Sequence, residues 1–340
     1  MLLIDATNVG GGSCVLLKYL AKALNSRQIP HFILCSNRVD LSNSPHLSVQ
    51  STPPFSIRRQ LLLNEYCKKL RPNHLFCFGN VPPKNRPKVK QVSTYFHNAL
   101  LIGSLEPRGL DLLFRLRLWI LRRSISVSKR NTDFWLFQTN YIANCFAKSF
   151  DVSSAKNIVL PFYEKGETAM PNPEPFDFDF IYSSSLAPHK NHINLFKAIE
   201  ICALEGFYPT VAITVDVKRS SKLGKIVERC KDLGAKIFLT GSLDHSQSLS
   251  LLEKSKFVVF PSLIETLGLG LIEAALLGKP VICGNLPWIA DVIEPSTTFD
   301  PHSPLSIADS MRSIHAAILP CPTTLVVQDR IDQLVDWLSS

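Results

Sequence analysis

Phe260-Pro261-Ser262-Leu263-Ile264-Glu265-Thr266-Leu267-Gly268-Leu269-Gly270-Leu271-Ile272-Glu273-Ala274-Ala275-Leu276-Leu277-Gly278-Lys279-Pro280-Val281 is the stretch on which the reading of this 340-residue chain turns. It follows Phe257-Val258-Val259, and that apolar run has the composition of a buried strand, which Pro261 ends. Glu265 is thereby delivered into the loop at the strand's carboxyl end, the edge at which open α/β sheets take up ligands. Gly268 and Gly270 allow close approach of a backbone. The helix that follows presents unpaired N–H groups with partial positive charge, a seat for a diphosphate. Glu273 lies a few residues into that helix, roughly 8 Å from its start at about 1.5 Å per residue.

Working outward, the same alternation surrounds this stretch. Residues 178–183, 210–215, 237–239 and 280–282 read as further buried strands, with a helix over 191–204 capped by Asn191. Nearer the start, a strand at 2–5 runs into Asn8-Val9-Gly10-Gly11-Gly12 and a helix over 13–24. Apolar runs follow at 31–35, 75–78, 91–96, 134–137 and 158–160. Two such series predict an α/β fold of two Rossmann-like, doubly wound lobes. Pro171, Pro173 and Pro175 disfavour helix and sheet between them. The expected organisation is an acceptor-side lobe over 1–165, a linker over 166–177 and a donor-binding lobe over 178–318. A C-terminal segment, 319–340, completes it, with Ile331, Leu334, Val335 and Leu338 on one docking face of a helix.

A sugar nucleotide suits the glutamate and glycine geometry, because its hexose and ribose flank a diphosphate. One carboxylate ahead of the helix can grip sugar hydroxyls, the helix start can take the phosphates, and the second carboxylate can accept from the ribose. Pro261-Ser262, Glu265, Gly268-Leu269, Glu273-Ala274 and Gly278-Lys279-Pro280-Val281, with seven residues between the glutamates, resemble the signature of the retaining GT-B glycosyltransferases of family 4, or glycosyltransferase group 1. The resemblance implies two Rossmann-like lobes facing a central cleft, a nucleoside-diphosphate sugar as donor, no cofactor or metal, and retention of anomeric configuration. Upstream, Tyr182-Ser183-Ser184-Ser185-Leu186-Ala187-Pro188-His189-Lys190-Asn191-His192 resembles the family's phosphate-binding loop, which implies Lys190 as the cation on the diphosphate. A metal-free transferase must supply such a charge. Ser185 stands where the family usually has arginine, Leu267 where an aromatic is common, and Asn285-Leu286-Pro287-Trp288 where a glycine pair is common. The Pro-His-Lys-Asn-His variant is similar to bacterial surface-polysaccharide members. That implies a role in O-antigen, capsule or lipopolysaccharide synthesis on a polyprenyl-diphosphate-linked saccharide acceptor.

In the first lobe Gly10-Gly11-Gly12 resembles the family's glycine loop, and its spacing is not the G-x-G-x-x-G of dinucleotide sites. Thr94-Tyr95-Phe96-His97-Asn98-Ala99-Leu100 resembles the His-Asn loop, which implies the His97 imidazole beside the donor phosphate. Phe76-Cys77-Phe78-Gly79-Asn80-Val81-Pro82-Pro83 is similar to a segment of capsule and O-antigen transferases. The resulting expectation places Glu265, Lys190 and His97 in catalysis. Glu273, Gly268, Leu269, Gly270, Thr266, Gly11, Gly12 and Gly241 bind the donor.

Arg108, Arg115 and Arg122 recur every seven residues beside Arg123, with Leu110, Leu113, Phe114, Leu118 and Leu121 on the opposite side and Arg117 interrupting it. This predicts a basic amphipathic helix, either a solvated face over the core or a peripheral contact with anionic headgroups. No apolar run approaches a membrane span.

With 46% hydrophobic and 19% charged residues the chain reads as packed and globular, not disordered. Its net charge of +9 favours anionic partners: nucleotide diphosphates, acidic headgroups or nucleic acid. Nucleic acid is disfavoured, since no recognition signature is present and aromatics do not interleave with the arginines. Nine scattered cysteines without a C-x-x-C read as reduced core residues of a cytosolic protein. Met1 to Ile4 runs into Asp5 without the basic flank or length of a signal peptide, so the expected location is cytoplasmic, with contact at the inner face of the cytoplasmic membrane. Asp177-Phe178-Asp179 has the D-x-D form that holds a metal-bound sugar nucleotide in the other glycosyltransferase fold, but here it enters a strand. A sugar-nucleotide epimerase or phosphorylase on the same fold is the alternative activity.

Overall fold

The apolar runs become the strands of two parallel sheets, as continuous β-branched and aromatic segments buried on both faces must. The computed structural model describes residues 1–37, 39–41, 43–107, 110–165 and 176–340. Residues 166–175 of the expected linker, and Arg108 of the arginine series, lie outside the described residues. Two units form, Met1–Glu164 with Gln328–Ser340, and Lys165–Val327.

The first unit runs β1 (Leu2–Ala6), α1 (Gly12–Ser26), β2 (His31–Ser36), β3 (His46–Val49), α2 (Ile57–Leu70), β4 (His74–Cys77), β5 (Gln91–Phe96), α3 (Leu112–Ser128), β6 (Phe134–Phe137), α4 (Asn140–Phe150) and β7 (Asn157–Val159). The second runs β8 (Phe178–Tyr182), α5 (His192–Leu204), β9 (Thr210–Ile213), α6 (Ser221–Asp232), β10 (Lys236–Leu239), α7 (His245–Glu253), β11 (Ser255–Phe260), α8 (Leu269–Leu276), β12 (Val281–Gly284), β13 (Ile293–Glu294), β14 (Thr297–Phe299), α9 (Pro304–Ala316) and β15 (Thr324–Leu325). The chain then closes with α10 (Ile331–Ser339) in the first unit.

Strand order is β3-β2-β1-β4-β5-β6-β7 in one sheet and β10-β9-β8-β11-β12-β14 in the other, with β13 and β15 as a separate antiparallel pair. Leu3 sits opposite Phe32 and Leu75, and Phe257 opposite Phe180. In each sheet the order reverses beside its first strand, between β1 and β4 and between β8 and β11. Loops diverge there and leave a crevice at the carboxyl ends.

Leu3, Leu34, Leu75 and Val92 pack under Leu63 and Tyr66 of α2. Farther along the same face Phe146 of α4 meets the rings of Phe96, Trp135 and Phe137. The return of α10 is sealed by buried His74, whose Nδ1 donates to Leu338 O at 3.3 Å while Nε2 accepts from Ser93 Oγ at 2.6 Å. Trp337 packs edge-on against His74 and Phe134.

A buried ion pair that no sequence pattern announces organises the end of β1. Arg59 of α2 contacts Asp5 Oδ2 at 2.6 Å, with side chains 2% and 0% exposed, and donates to the carbonyls of Val81 and Pro82. Carbonyl acceptors satisfy the remaining guanidinium protons, the condition for tolerating such a pair in a core.

The expected orientation of the arginine-rich helix is corrected at two positions. Leu110 and Leu118 are buried and Phe114 and Leu121 half-buried, as expected, but Leu113 faces solvent and Arg122 turns inward. Glu106, ahead of the helix, draws in both Arg115 and Arg122, at 3.1 and 2.6 Å, and Arg122 also donates to Leu100 O. Among the described residues no helix is long and apolar enough to cross a membrane.

Candidate functional site

All strands of the second sheet are parallel, so their carboxyl ends share one edge, and the loops after β8 and β11 meet because those strands are neighbours. Tyr182, the last residue of β8, joins the two loops. Its hydroxyl donates to Lys190 O at 2.8 Å and lies 2.9 Å from Ser262 Oγ, and burial pushes its pKa up, so it remains a donor. Leu263 N donates to His189 O at 2.8 Å. Asn191, in the left-handed region at φ +59°, turns the chain into α5. Its expected capping role is corrected: the amide donates to Pro261 O at 3.1 Å and Pro301 O at 2.7 Å, and no side-chain cap bond forms. Those two carbonyls, buried just past the ends of β11 and β14, take the amide.

Held by these bonds, Lys190 Nζ reaches Glu265 Oε1 at 2.5 Å, with side chains 17% and 14% exposed. The pair is charge-assisted and largely withdrawn from water. Beside it His189 has a buried Nδ1 with no hydrogen-bond partner among the described residues. Burial, aided by the Lys190 charge and opposed by Glu265, lowers the His189 pKa, so the ring is neutral. His192, at the start of α5, donates from Nε2 to Ser185 O at 3.1 Å, and burial pulls its pKa down to about 4.

Gly268 precedes α8 at φ +69°, and a Cβ there would lie 3.2 Å from both Leu271 Cδ1 and Trp288 Cζ3. Conformation and space both demand glycine. The first intrahelical bond is Leu271 N to Gly268 O at 2.8 Å, so the amides of Leu269 and Gly270 precede the ladder and are open to a ligand's acceptors. Thr266 lies in the loop ahead of that start. Glu273, in the helix's second turn, pairs through Oε1 with His245 Nε2 at 2.9 Å. His245 begins α7, so the loop after β10, with Gly241 at φ +73°, joins the same edge.

Lys190, Glu265, Thr266, Gly268, Leu269, Gly270, Glu273 and Gly241 thus gather at one sheet edge in the second unit, while His97, Gly11 and Gly12 belong to the first. His97 follows β5; its N–H donates to Asn80 Oδ1 at 2.7 Å and its Nε2 to Phe78 O at 2.9 Å. The ring packs against Phe78 and Tyr95, and burial lowers its pKa. The carbonyls that Arg59 holds at 81 and 82 steady the segment carrying Phe78 and Asn80. Gly11, at φ +63° and ψ −141°, precedes α1, which Gly12 begins. A Cβ at Gly11 would meet nothing within 4 Å, so the backbone conformation is what requires glycine.

Asp177 and Asp179 lie at the amino end of β8, the opposite edge. Burial alone would raise the Asp179 pKa, but bonds from Thr210 N and Oγ1 at 2.7 and 2.8 Å and the contact with His315 hold it below the usual range. This carboxylate is occupied in fastening β8 to β9. The sequence reading missed Tyr182, His189 and His245. His189 stood inside a recognised motif, whereas nothing local pairs His245 with Glu273.

Residues 170–316 match the family described as Glycosyl transferases group 1. No curated protein matches the chain. Among solved structures it is similar to a glycosyltransferase from Rickettsia africae ESF-5, at 16% identity, covering 99% of this chain and 93% of that one, with a TM-score of 0.68. Anabaena HepE in complex with UDP and glucose is similar at 15% identity over 93% of this chain and 89% of that one, TM-score 0.67. A mutant of S. aureus TarM in complex with Fondaparinux, alpha-GlcNAc-glycerol and UDP is similar at 13% identity over 100% and 93%, TM-score 0.67. The chain thus matches the glycosyl transferases of group 1 over residues 170–316 and has the two Rossmann-like units of the GT-B glycosyltransferase fold.

Proposed function

We propose that the chain transfers a hexosyl group from a nucleoside-diphosphate sugar to a hydroxyl of a saccharide acceptor, with retention of anomeric configuration and without a metal. The observation that carries this reading is the Lys190–Glu265 pair beside the open amides of Leu269 and Gly270. A cation, a helix start and two carboxylates on one sheet edge match the charge pattern of a sugar nucleotide.

When donor enters, Lys190 leaves Glu265 for the diphosphate and Glu265 turns to the sugar hydroxyls. The Leu269 and Gly270 amides take phosphate oxygens, and Glu273 exchanges His245 for the ribose. Thr266 and Gly241 line the donor; the donor-side roles of His97, Gly11 and Gly12 rest on the resemblance alone. The acceptor oxygen bonds to the anomeric carbon while the bond from that carbon to the phosphate oxygen breaks. The nucleoside diphosphate departs with the electron pair, and the acceptor proton passes to a phosphate oxygen on the same face. Lys190 and the helix amides offset the charge that develops, the largest usual contribution to such a step.

HepE solved with UDP and glucose, and TarM solved with UDP, support a donor of this class. A polyprenyl-diphosphate-linked acceptor and a place in O-antigen or capsule synthesis on the cytoplasmic side rest on the resemblance at 188–192. A thermal-shift panel of UDP-, GDP- and TDP-sugars, followed by turnover in the presence of EDTA, tests the reading. We expect one base to stabilise the protein and activity to survive the chelator. Absence of any stabilisation across the panel would overturn the assignment.

A further inference from the structure

The helix α3 shows solvent an apolar face that the sequence pattern did not single out; of its residues only Leu113 stood among the expected inward positions. Leu112 and Leu113 are each 79% exposed, Leu116 51%, Trp119 60% and Ile120 51%. Their spacings of three and four residues align them as one stripe along the helix. On the opposite side Glu106 pairs with Arg115 and Arg122. Exposed Arg117 lies beside the stripe and exposed Arg123 ends it, and α3 contains no Asp or Glu.

The cationic border continues past the helix. Asn131 Nδ2 donates to the carbonyls of Pro83 and Lys84 at 3.0 and 2.8 Å, tying the loop that carries Lys84, Lys88 and Lys90 to the carboxyl end of α3. All three lysines are exposed. A contiguous apolar stripe left in water marks a docking surface. An apolar face of Leu and Trp bordered mainly by cations, with Asp111 at its amino end, is the composition that lies in the headgroup plane of a bilayer, with the arginine stems reaching to phosphate. A second copy of this chain fits less well, because each copy carries a net charge of +9 and the borders would repel.

We propose that α3 docks the protein on an anionic lipid bilayer, with Leu112, Leu113, Leu116, Trp119 and Ile120 inserted at the level of the acyl boundary and the flanking arginines and lysines on the headgroups. This goes beyond the sugar-transfer reading and stands without it, since docking requires neither donor nor acceptor.

The test is co-sedimentation of the full chain with phosphatidylcholine vesicles, with and without phosphatidylglycerol. A second readout is tryptophan quenching by brominated lipid. Trp135 and Trp288 are buried and Trp337 is half-buried, so quenching reports on Trp119. We expect binding to the anionic vesicles only, with quenching. The pair Leu116→Asp and Trp119→Asp should weaken binding about tenfold or more. Arg117→Gln with Arg123→Gln should weaken it roughly twenty-fivefold, at about fivefold per cation. If the aspartate variant fails to fold, the arginine variant decides. Three results overturn the proposal: no sedimentation with anionic vesicles at low salt, binding indifferent to both variants, or a dimer in ultracentrifugation that the aspartate pair dissolves while vesicles stay unbound.

Discussion

Replacing Lys190 by alanine removes one partner from a pair 2.5 Å apart whose side chains are only 17% and 14% exposed. Glu265 then keeps its carboxylate in a setting with little water. A charged hydrogen bond contributes about 1.5–3 kcal/mol, and breaking a fully buried pair costs about 3–5 kcal/mol. Because both groups retain some solvent, the lower range applies, and about 2 kcal/mol is expected. For a unit of this size that lowers Tm by roughly 4–8 °C. Turnover should fall by a larger factor, about a hundredfold to a thousandfold, as for loss of a group that stabilises transition-state charge. The two effects separate in the double variant. Adding Glu265→Ala removes the orphaned carboxylate and should recover most of the Tm, whereas turnover stays low. Calorimetry and initial rates of nucleotide release from the preferred donor measure both. Lys190→Ala with kcat/KM within threefold of the parent, or a double variant whose Tm loss is simply additive, would refute the reasoning.

Glu273→Ala should weaken nucleotide binding about tenfold, or about 1.4 kcal/mol, in titration calorimetry, and unchanged affinity would remove Glu273 from the donor site. Gly268→Ala places a side chain at φ +69° against Leu271 and Trp288, and Gly11→Ala occupies φ +63° in open space. Each should cost about 1–3 kcal/mol by urea unfolding, and a neutral Gly11→Ala would show that its backbone is unstrained. His74 and His192 are pulled by burial down to about 4 from an unfolded value near 6.5. Their neutral forms contribute fully above that unfolded value, and the contribution is lost as pH falls from 6.5 to 4. The loss at pH 5 is about 2 kcal/mol for each. Urea midpoints at pH 7 and 5 should therefore differ, and His74→Gln should flatten the dependence; equal midpoints in the parent chain would contradict it.

Strands buried on both faces carry their identity in composition, which is why the apolar runs at 91–96 and 134–137 coincide with β5 and β6. Of the edge strands of the two parallel sheets, β7 and β10 were legible in the same way and two were not. β3 (His-Leu-Ser-Val) and β14 (Thr-Thr-Phe) mix polar residues into short segments and escaped the pattern. In α2 the buried face includes Arg59 and Gln60, so polarity there points the wrong way about what is inside. At α3 the inward positions Leu110 and Leu118 were legible, but the inward turn of Arg122 was not, because its partner Glu106 lies outside the helix.

What the sequence determined by itself was local and contiguous: two strand-and-helix series, the glycine-started helix α8, and a lysine and two glutamates in strand-to-helix loops. Strand, loop and helix follow one another along the chain, so their chemistry can be read in order. Only the tertiary structure decided which charge meets which. Lys190 and Glu265 are 75 residues apart and His245 and Glu273 are 28 apart, and each pair meets at the common carboxyl edge created by parallel strands. Partnerships of that range depend on strand adjacency and helix rotation, which arise from the sum of packing over a whole unit and leave no mark at either residue alone.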